Sequence, residues 1–100
     1  AVHFDALPVI EEARALVQDG VATGASTRNW ASYGASVDLP ADAPEWQRKL
    51  VTDPQTSGGL LIACAPEAVE AVQAAIKTEQ GEAGTIVGEM TAGAARVVLA

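Results

Sequence analysis

The fold is decided by one stretch, Leu50-Val51-Thr52-Asp53-Pro54-Gln55-Thr56-Ser57-Gly58-Gly59-Leu60-Leu61-Ile62-Ala63-Cys64, in which a loop of turn-forming residues runs directly into five apolar residues. Asp53-Pro54 favours the start of a turn, and Gly58-Gly59 allows positive φ or a close backbone approach. Leu60 to Cys64 shows no alternation of polar and apolar residues, which predicts a strand buried on both faces. Because binding residues tend to lie on loops held by a rigid core, residues 53–59 are the first candidate site.

Length, charge and cysteine content limit the classes of protein that the chain can represent. One hundred residues form at most one small domain, and since Ala1 rather than Met stands first, we expect a fragment or a processed product. The net charge is −7 with only six Lys and Arg, so nucleic-acid binding is not expected. No apolar run reaches membrane-spanning length, and no membrane association is expected. A single Cys excludes an internal disulfide and suits the reducing cytoplasm.

Helices are predicted at three places: residues 9–18, residues 45–50, and from Pro66 to Gly81. The first and third combine an apolar stripe at helical spacing with a proline at the start and a glycine at the end. Residues 21–33 are bracketed by glycines and are expected to be irregular, apart from a short helix capped by Ser26 or Thr27.

Strands are predicted at Ala1–Leu7, Ser36–Leu39, Leu60–Cys64, Thr85–Met90 and Arg96–Leu99. The last two form a predicted hairpin whose loop contains Gly93. Because a helix lies between strands twice, the order of elements predicts an α/β (α+β) sandwich, in which helices pack on a mixed β-sheet.

Two interpretations of residues 53–59 remain open. Successive backbone N–H groups of such a loop can cradle an anion. The loop is not a Walker loop, because it lacks the Gly-Lys-Ser/Thr ending and precedes a predicted strand rather than a helix. The alternative is a structural turn whose side chains cap their own backbone.

Arg28 and Asn29 form a second candidate pair, for which two roles are also open. An Arg guanidinium can bind a phosphate or an acidic partner through two parallel hydrogen bonds. The alternative is an Arg–Asn network that fixes a neighbouring loop.

The other reactive side chains do not predict a catalytic site. Cys64 ends an apolar run and is predicted to be a buried core residue rather than a nucleophile. His3 is the only histidine and cannot form a metal site alone. The carboxylates are dispersed over predicted helix surfaces and loops, where they are expected to be solvated. No self-sufficient catalytic or metal site is therefore expected.

Two segments make the chain recognisable. Residues 52–61, Thr52-Asp53-Pro54-Gln55-Thr56-Ser57-Gly58-Gly59-Leu60-Leu61, resemble the signature of the C-terminal domain of the selenophosphate synthetases (selenide, water dikinases). These enzymes share a superfamily with aminoimidazole ribonucleotide synthetase. Residues 24–30 also resemble the family, in which a glycine-rich segment leads into Arg-Asn. The resemblance covers nearly the whole chain, although residues 78–84 are more polar than the family leads us to expect.

The resemblance implies a fold, a reaction and a place in a larger enzyme. The fold would be a partly ferredoxin-like α/β sandwich, and residues 1–100 would be a single, N-terminally truncated C-terminal domain. The parent would convert selenide, ATP and water to selenophosphate, AMP and phosphate with magnesium. Its reactive Cys or selenocysteine, its catalytic Lys and most of its magnesium-binding aspartates lie in the N-terminal half, so no catalytic or metal role is carried onto this sequence.

The resemblance also implies which residues face the nucleotide. One wall of the ATP cleft, facing the N-terminal nucleotide-binding domain, would be formed by Asp53, Gln55, Thr56, Ser57, Gly58 and Gly59. Arg28 and Asn29 would lie in the cleft or at an interface. The chain alone would bind no cofactor and be inactive.

A different class of function also stays open, namely a non-catalytic module for anion binding or dimerisation. A member of another family of the superfamily is a further possibility, although the Thr-Ser-Gly-Gly form of residues 56–59 favours selenophosphate synthetase. In either case we expect a homodimer, because apolar surface left uncovered in a truncated domain tends to associate. The predicted contact is the strand at Ala1–Leu7 or the strand at Thr85–Met90, whose edge would be free.

Overall fold

The computed structural model describes all of residues 1–100 as four α-helices and a two-stranded parallel sheet. The helices are α1 (Glu11–Gln18), α2 (Gly24–Tyr33), α3 (Glu45–Val51) and α4 (Val69–Gln80), and the strands are β1 (Val37–Asp38) and β2 (Val97–Val98). Single 3-10 turns lie at Phe4–Ala6, Gly34–Ser36 and Pro66–Ala68. The chain is therefore a small α+β domain, as the order of predicted elements indicated.

The sheet has fewer paired residues than predicted, but it contains both parallel and antiparallel pairing, as a mixed sheet does. β1 and β2 pair in parallel, and isolated bridges join Val2 to Gly88 in antiparallel and to Leu99 in parallel. Val2 N–H donates to the Val98 carbonyl at 2.7 Å, while His3 N–H donates to the Val87 carbonyl at 2.8 Å. The extended N-terminal residues thus lie between the segments at residues 87–89 and 98–100.

Three strand predictions are wrong in this structure. Residues 60–64 form no strand, and Leu60 and Leu61 are 91% and 83% exposed. The predicted hairpin is absent because β2 pairs with β1 and not with residues 85–90. The strand predicted at Ala1–Leu7 stops at the turn that begins at Phe4. Residues 60–64 take part in no backbone hydrogen bond, so the apolar run lies outside the sheet.

Three of the helix predictions are confirmed. α1 and α3 lie within one or two residues of the predicted bounds, and α4 continues from the turn that Pro66 opens. α4 ends at Gly81, whose φ of 85° is left-handed and whose N–H donates to the Lys77 carbonyl.

The irregular backbone predicted within residues 21–33 is wrong for Gly24–Tyr33, which form the ten-residue helix α2. The short helix expected in this segment is therefore present but longer, and its N-cap is Thr23 rather than Ser26 or Thr27. The Thr23 hydroxyl oxygen accepts from the Ser26 N–H at 3.3 Å, which satisfies one of the free donors of the first turn.

The buried apolar residues are few and come from both ends of the chain. Phe4, Val17 and Leu99 are buried, and the Phe4 ring meets Trp46 of α3 edge to face with centroids 5.5 Å apart. The Arg14 guanidinium of α1 lies 5.6 Å from the Phe4 centroid. This core fixes α3 against α1 and so fixes the point at which the chain enters the polar loop.

Candidate functional site

The base of the polar loop (residues 53–59) is tied to two helices. Thr52, which follows α3, is only 3% exposed, and its hydroxyl donates to the Arg48 carbonyl at 2.8 Å. The Asn29 side-chain amide of α2 donates to the Thr52 carbonyl at 2.8 Å. A buried carbonyl is thereby satisfied by a side chain rather than by water, and the end of α3 is joined to α2.

Asp53 is held at the N-terminal end of α2 by two hydroxyl groups. Its Oδ1 accepts from the Thr23 hydroxyl at 3.0 Å and from the Ser26 hydroxyl at 3.4 Å. Ser26 is 2% exposed, so its hydroxyl is nearly out of reach of water. A carboxylate is favourable at this place because the free N–H groups of a helix start carry partial positive charge. We name Thr23, Ser26 and Asp53 the hydroxyl clamp.

The rest of the polar loop presents its side chains to solvent. No backbone hydrogen bond involves residues 54–64, and Gln55, Thr56 and Ser57 are exposed with no hydrogen-bond partner in the chain. Of the two roles open to Gly58 and Gly59, positive φ is not seen, because it occurs only at Gly20, Gly81 and Gly93. A close approach is seen at Gly58, where a Cβ would stand 3.0 Å from Gln55 Cβ. Capping of the loop's backbone by its own side chains is not seen, since the Asp53 carboxylate accepts from Thr23 and Ser26 of the α2 start.

Arg28 and Asn29 have different surroundings, although they are adjacent in sequence. Asn29 is half-buried and engaged with the Thr52 carbonyl, so it fixes the base of the polar loop. Arg28 is exposed, and its Nη1 lies 3.6 Å from the position that a Cβ on Gly24 would take. Its guanidinium therefore lies beside the first turn of α2, at the same end of the helix as Asp53.

Other candidate side chains form no second site. The predicted burial of Cys64 is wrong, because Cys64 is exposed on the unpaired segment that follows the polar loop. His3 is exposed, and no group of three His, Cys, Asp or Glu side chains is arranged to hold a metal ion. A recess of about 330 Å³ lined by Trp30, Leu39, Ala43, Glu45 and Arg48 does not include the polar loop. None of the helices has the length and apolar character needed to cross a membrane.

Sequence reasoning found the polar loop but missed two of the residues that hold it. Thr23 and Ser26 lie thirty and twenty-seven positions before Asp53, so no local pattern links them to it. The available signal was Thr23 alone, because Thr is one of the residue types preferred at an N-cap and it directly precedes the first residue of α2.

The fold and the clamped loop define a small α+β domain that presents an anchored polar loop. No protein-family model matches the chain. The selenide, water dikinase of Rhizobium meliloti (strain 1021) is 50% identical over 96 residues, which cover 96% of this chain and 28% of that protein. The enzyme of the same name from Burkholderia pseudomallei (strain K96243) is 54% identical over 96 residues, covering 96% of this chain and 27% of that protein. A third, from Burkholderia ambifaria (strain MC40-6), is 50% identical over 99 residues.

The resemblance inferred from residues 24–30 and 52–61 is thus confirmed: the chain is homologous to a segment of the selenide, water dikinases. The chain spans about 28% of the length of the curated relatives it matches.

Proposed function

We propose that the chain is the C-terminal domain of a selenide, water dikinase and that its polar loop forms one wall of the cleft in which the parent enzyme binds ATP. The observation that carries this proposal is identity of 43–54% to enzymes of that name over 91–99% of the chain. The anchored polar loop supports the assignment of the cleft wall, because a ligand-binding loop has to be held in a defined place.

The proposed contacts to the nucleotide come from the exposed part of the loop. Gln55, Thr56 and Ser57 offer one amide and two hydroxyls that make no hydrogen bond within the chain, and Gly58 and Gly59 offer unpaired backbone N–H groups. Asp53 contributes indirectly, because its carboxylate is engaged by the hydroxyl clamp. Arg28 supplies a cation at the end of α2 that lies nearest the loop, where it suits an anionic ligand.

The chemical steps of the proposed reaction are assigned to the rest of the parent. Magnesium fits poorly here, because the chain brings no three carboxylate, Cys or His groups together. The reactive Cys or selenocysteine, the catalytic Lys and the magnesium ligands would belong to the N-terminal nucleotide-binding domain, which is the proposed partner. We expect selenide-dependent AMP formation by the purified 100-residue chain to stay at the level of a heat-treated control.

Substitutions in the full-length parent test the proposed wall of the cleft. Replacing Gln55 and Ser57 by Ala removes two exposed hydrogen-bonding groups without touching the core. We expect the KM for ATP to rise about five-fold for each hydrogen bond to the nucleotide that is removed, since one ordinary hydrogen bond is worth about 1 kcal/mol. The control is the substitution of Glu79 and Gln80 by Ala at the exposed end of α4. Equal KM values for the loop variant and the control would contradict the proposal.

A second candidate function, a non-catalytic dimerisation module, is favoured by one observation. Leu60, Leu61 and Ile62 are 91%, 83% and 46% exposed in consecutive positions. A run of apolar side chains in water marks an interaction surface, and homodimerisation would cover it. This candidate requires self-association of the chain, whereas the first requires an effect of the loop on ATP.

A further inference from the structure

We propose that Thr23 and Ser26 are positioning residues for the polar loop, acting through the Asp53 carboxylate. The loop's placement on the first turn of α2 is then set by the hydroxyl clamp and not by contacts within the loop. The part of this inference that concerns ATP rests on the function proposed above, whereas the part that concerns the position of the loop does not.

Hydrogen bonds hold the chain up to Asp53 but not along the rest of the polar loop. The Asn29 amide holds the Thr52 carbonyl, and the two hydroxyls hold Asp53 one residue later. Beyond Asp53, no backbone hydrogen bond occurs until residue 65. Asp53 is therefore the last fixed point before a long unbonded segment, and its position determines where the exposed residues of the loop begin.

The burial of Ser26 also favours a fixed position for Asp53. Ser26 is 2% exposed, and its hydroxyl has Asp53 Oδ1 and the Thr23 hydroxyl oxygen as its neighbours within hydrogen-bonding distance. A buried hydroxyl that loses its acceptor has no water to replace it, so detachment of Asp53 carries a penalty. Hydrogen bonds from hydroxyls to a charged carboxylate are also stronger than those between neutral groups.

The clamp and the helix cap use different atoms of Ser26. The Ser26 N–H donates to Thr23 Oγ1 and makes the capping bond of α2, whereas the Ser26 hydroxyl contacts Thr23 Oγ1 and Asp53 Oδ1 without making that bond. Ser26→Ala therefore removes a clamp bond and leaves the capping bond intact. Thr27→Ala is the matched control, because Thr27 lies in the same turn and is exposed.

The test measures ¹⁵N relaxation of the chain and the KM for ATP of the full-length parent. We expect the amide order parameter of Asp53 to fall below about 0.6 in Ser26→Ala and Thr23→Val, from a value nearer to 0.85 in the unmodified chain, and those of Gln55 and Thr56 to fall below their own values in the unmodified chain. Thr27→Ala and Thr23→Ser keep the clamp hydroxyls and should leave these order parameters unchanged. Order parameters of Trp30 and Ala31 in α2 show whether each variant is folded.

The outcomes separate the two proposals. Unchanged order parameters at residues 53–56 in both Ser26→Ala and Thr23→Val, with α2 intact, would overturn the positioning role. A fall in these values together with a higher KM for ATP, and rescue of both by Thr23→Ser, supports the inference. A fall in the order parameters with an unchanged KM supports the clamp while contradicting the proposed role of the loop in ATP binding.

Discussion

Close backbone contacts determine which glycines of this chain can carry a side chain. A Cβ added at Gly88 would stand 2.0 Å from the Ala1 carbonyl oxygen, because residues 87–89 lie directly beside the N-terminal segment. A Cβ at Gly59 would meet nothing within 4 Å. The two glycines therefore have different structural roles, although neither has positive φ.

We expect Gly88→Ala to destabilise the chain by about 1–3 kcal/mol, the usual cost of forcing atoms into a packed site. The bridge between Val2 and Gly88 has to open, and the melting temperature should fall by several degrees. Gly59→Ala is the control and should melt within about one degree of the unmodified chain. Equal melting temperatures for the two variants would show that residues 87–89 are not paired with the N-terminus.

The ion pair between Asp38 and Arg96 gives a prediction about pH. Arg96 Nε donates to Asp38 Oδ2 at 2.6 Å, Nη2 donates to Oδ1, and Nη1 donates to the Ala35 carbonyl. The hydrogen bonds from Arg96, with a smaller contribution from its charge, hold the pKa of the Asp38 carboxyl below its ordinary value. A lowered pKa in the folded state stabilises the fold above the unfolded pKa, about 3.9 for Asp.

This contribution should disappear as the pH falls through the lowered pKa of Asp38. We therefore expect the difference in melting temperature between the unmodified chain and Asp38→Asn to be present at pH 6 and to vanish in strong acid. The effect is small because both side chains are largely exposed and the pair is screened by salt. Asp42→Asn, which removes an exposed carboxylate that makes no ion pair, is the matched control, and a melting-temperature difference for Asp38→Asn that does not depend on pH would contradict the prediction.

At the level of elements, the chain was predictable where its signals are local. α1 and α4 were predicted from apolar residues at helical spacing, together with a proline near the start and a glycine near the end of each helix. The full extent of α2 was missed and only a short helix was expected, because its sequence is polar and begins with glycine. Its formation depends on the Thr23 cap and on contacts with residues 52 and 53. Strand pairing was missed because Val2 pairs with residues more than eighty positions away.

The residues of the candidate site also differ in whether the sequence alone identifies them. The polar loop was identified from its turn residues beside an apolar run, whereas Asn29 was identified from the resemblance of residues 24–30 to the family. The hydroxyl clamp was not, because Ser and Thr are common and only the folded chain brings Thr23 and Ser26 to Asp53.

The left-handed glycine at the end of α4 can be tested by substitution. Gly81 has a φ of 85° and closes the helix by donating its N–H to the Lys77 carbonyl. Gly81→Ala should cost about 1–2 kcal/mol, because an L-residue with a Cβ is strained in the left-handed region. Gly81→Asn should cost less, since Asn tolerates that region. The measurements are thermal melting and helix content by circular dichroism, and equal losses in both variants would count against the left-handed end.

At the scale of the whole molecule, the chain exposes more surface than a self-contained domain of its size. A folded monomer of 10.2 kDa is expected to expose about 5,300 Å², whereas this chain exposes 7351 Å². Its radius of gyration is 14.8 Å, compared with about 13 Å for a compact domain of 100 residues. The excess is about 2,000 Å², well above the roughly 800 Å² that each partner buries in a standard interface, and Leu60 and Leu61 are the most exposed leucines of the chain.

The N-terminal segment has no free edge at Val2, because Val2 is bridged on both sides. The contact predicted through Ala1–Leu7 therefore lacks, at this residue, the free edge on which it was based. The segment at residues 85–90 is bridged on one side only, and Ile86 and Met90 are 61% and 85% exposed. Together with residues 60–62, this segment is where the rest of the parent, or another copy of the chain, would cover apolar side chains.

We therefore expect the isolated chain to form dimers or larger assemblies at micromolar concentration, as measured by sedimentation velocity. Leu61→Asp should shift the distribution to monomer, because a charged side chain cannot be buried unpaired in the contact. Ile10→Asp is the matched control, since Ile10 is 70% exposed but lies at the start of α1. A monomeric unmodified chain that binds no apolar dye would contradict this expectation. Equal dissociation by both variants would instead place the contact outside residues 60–62.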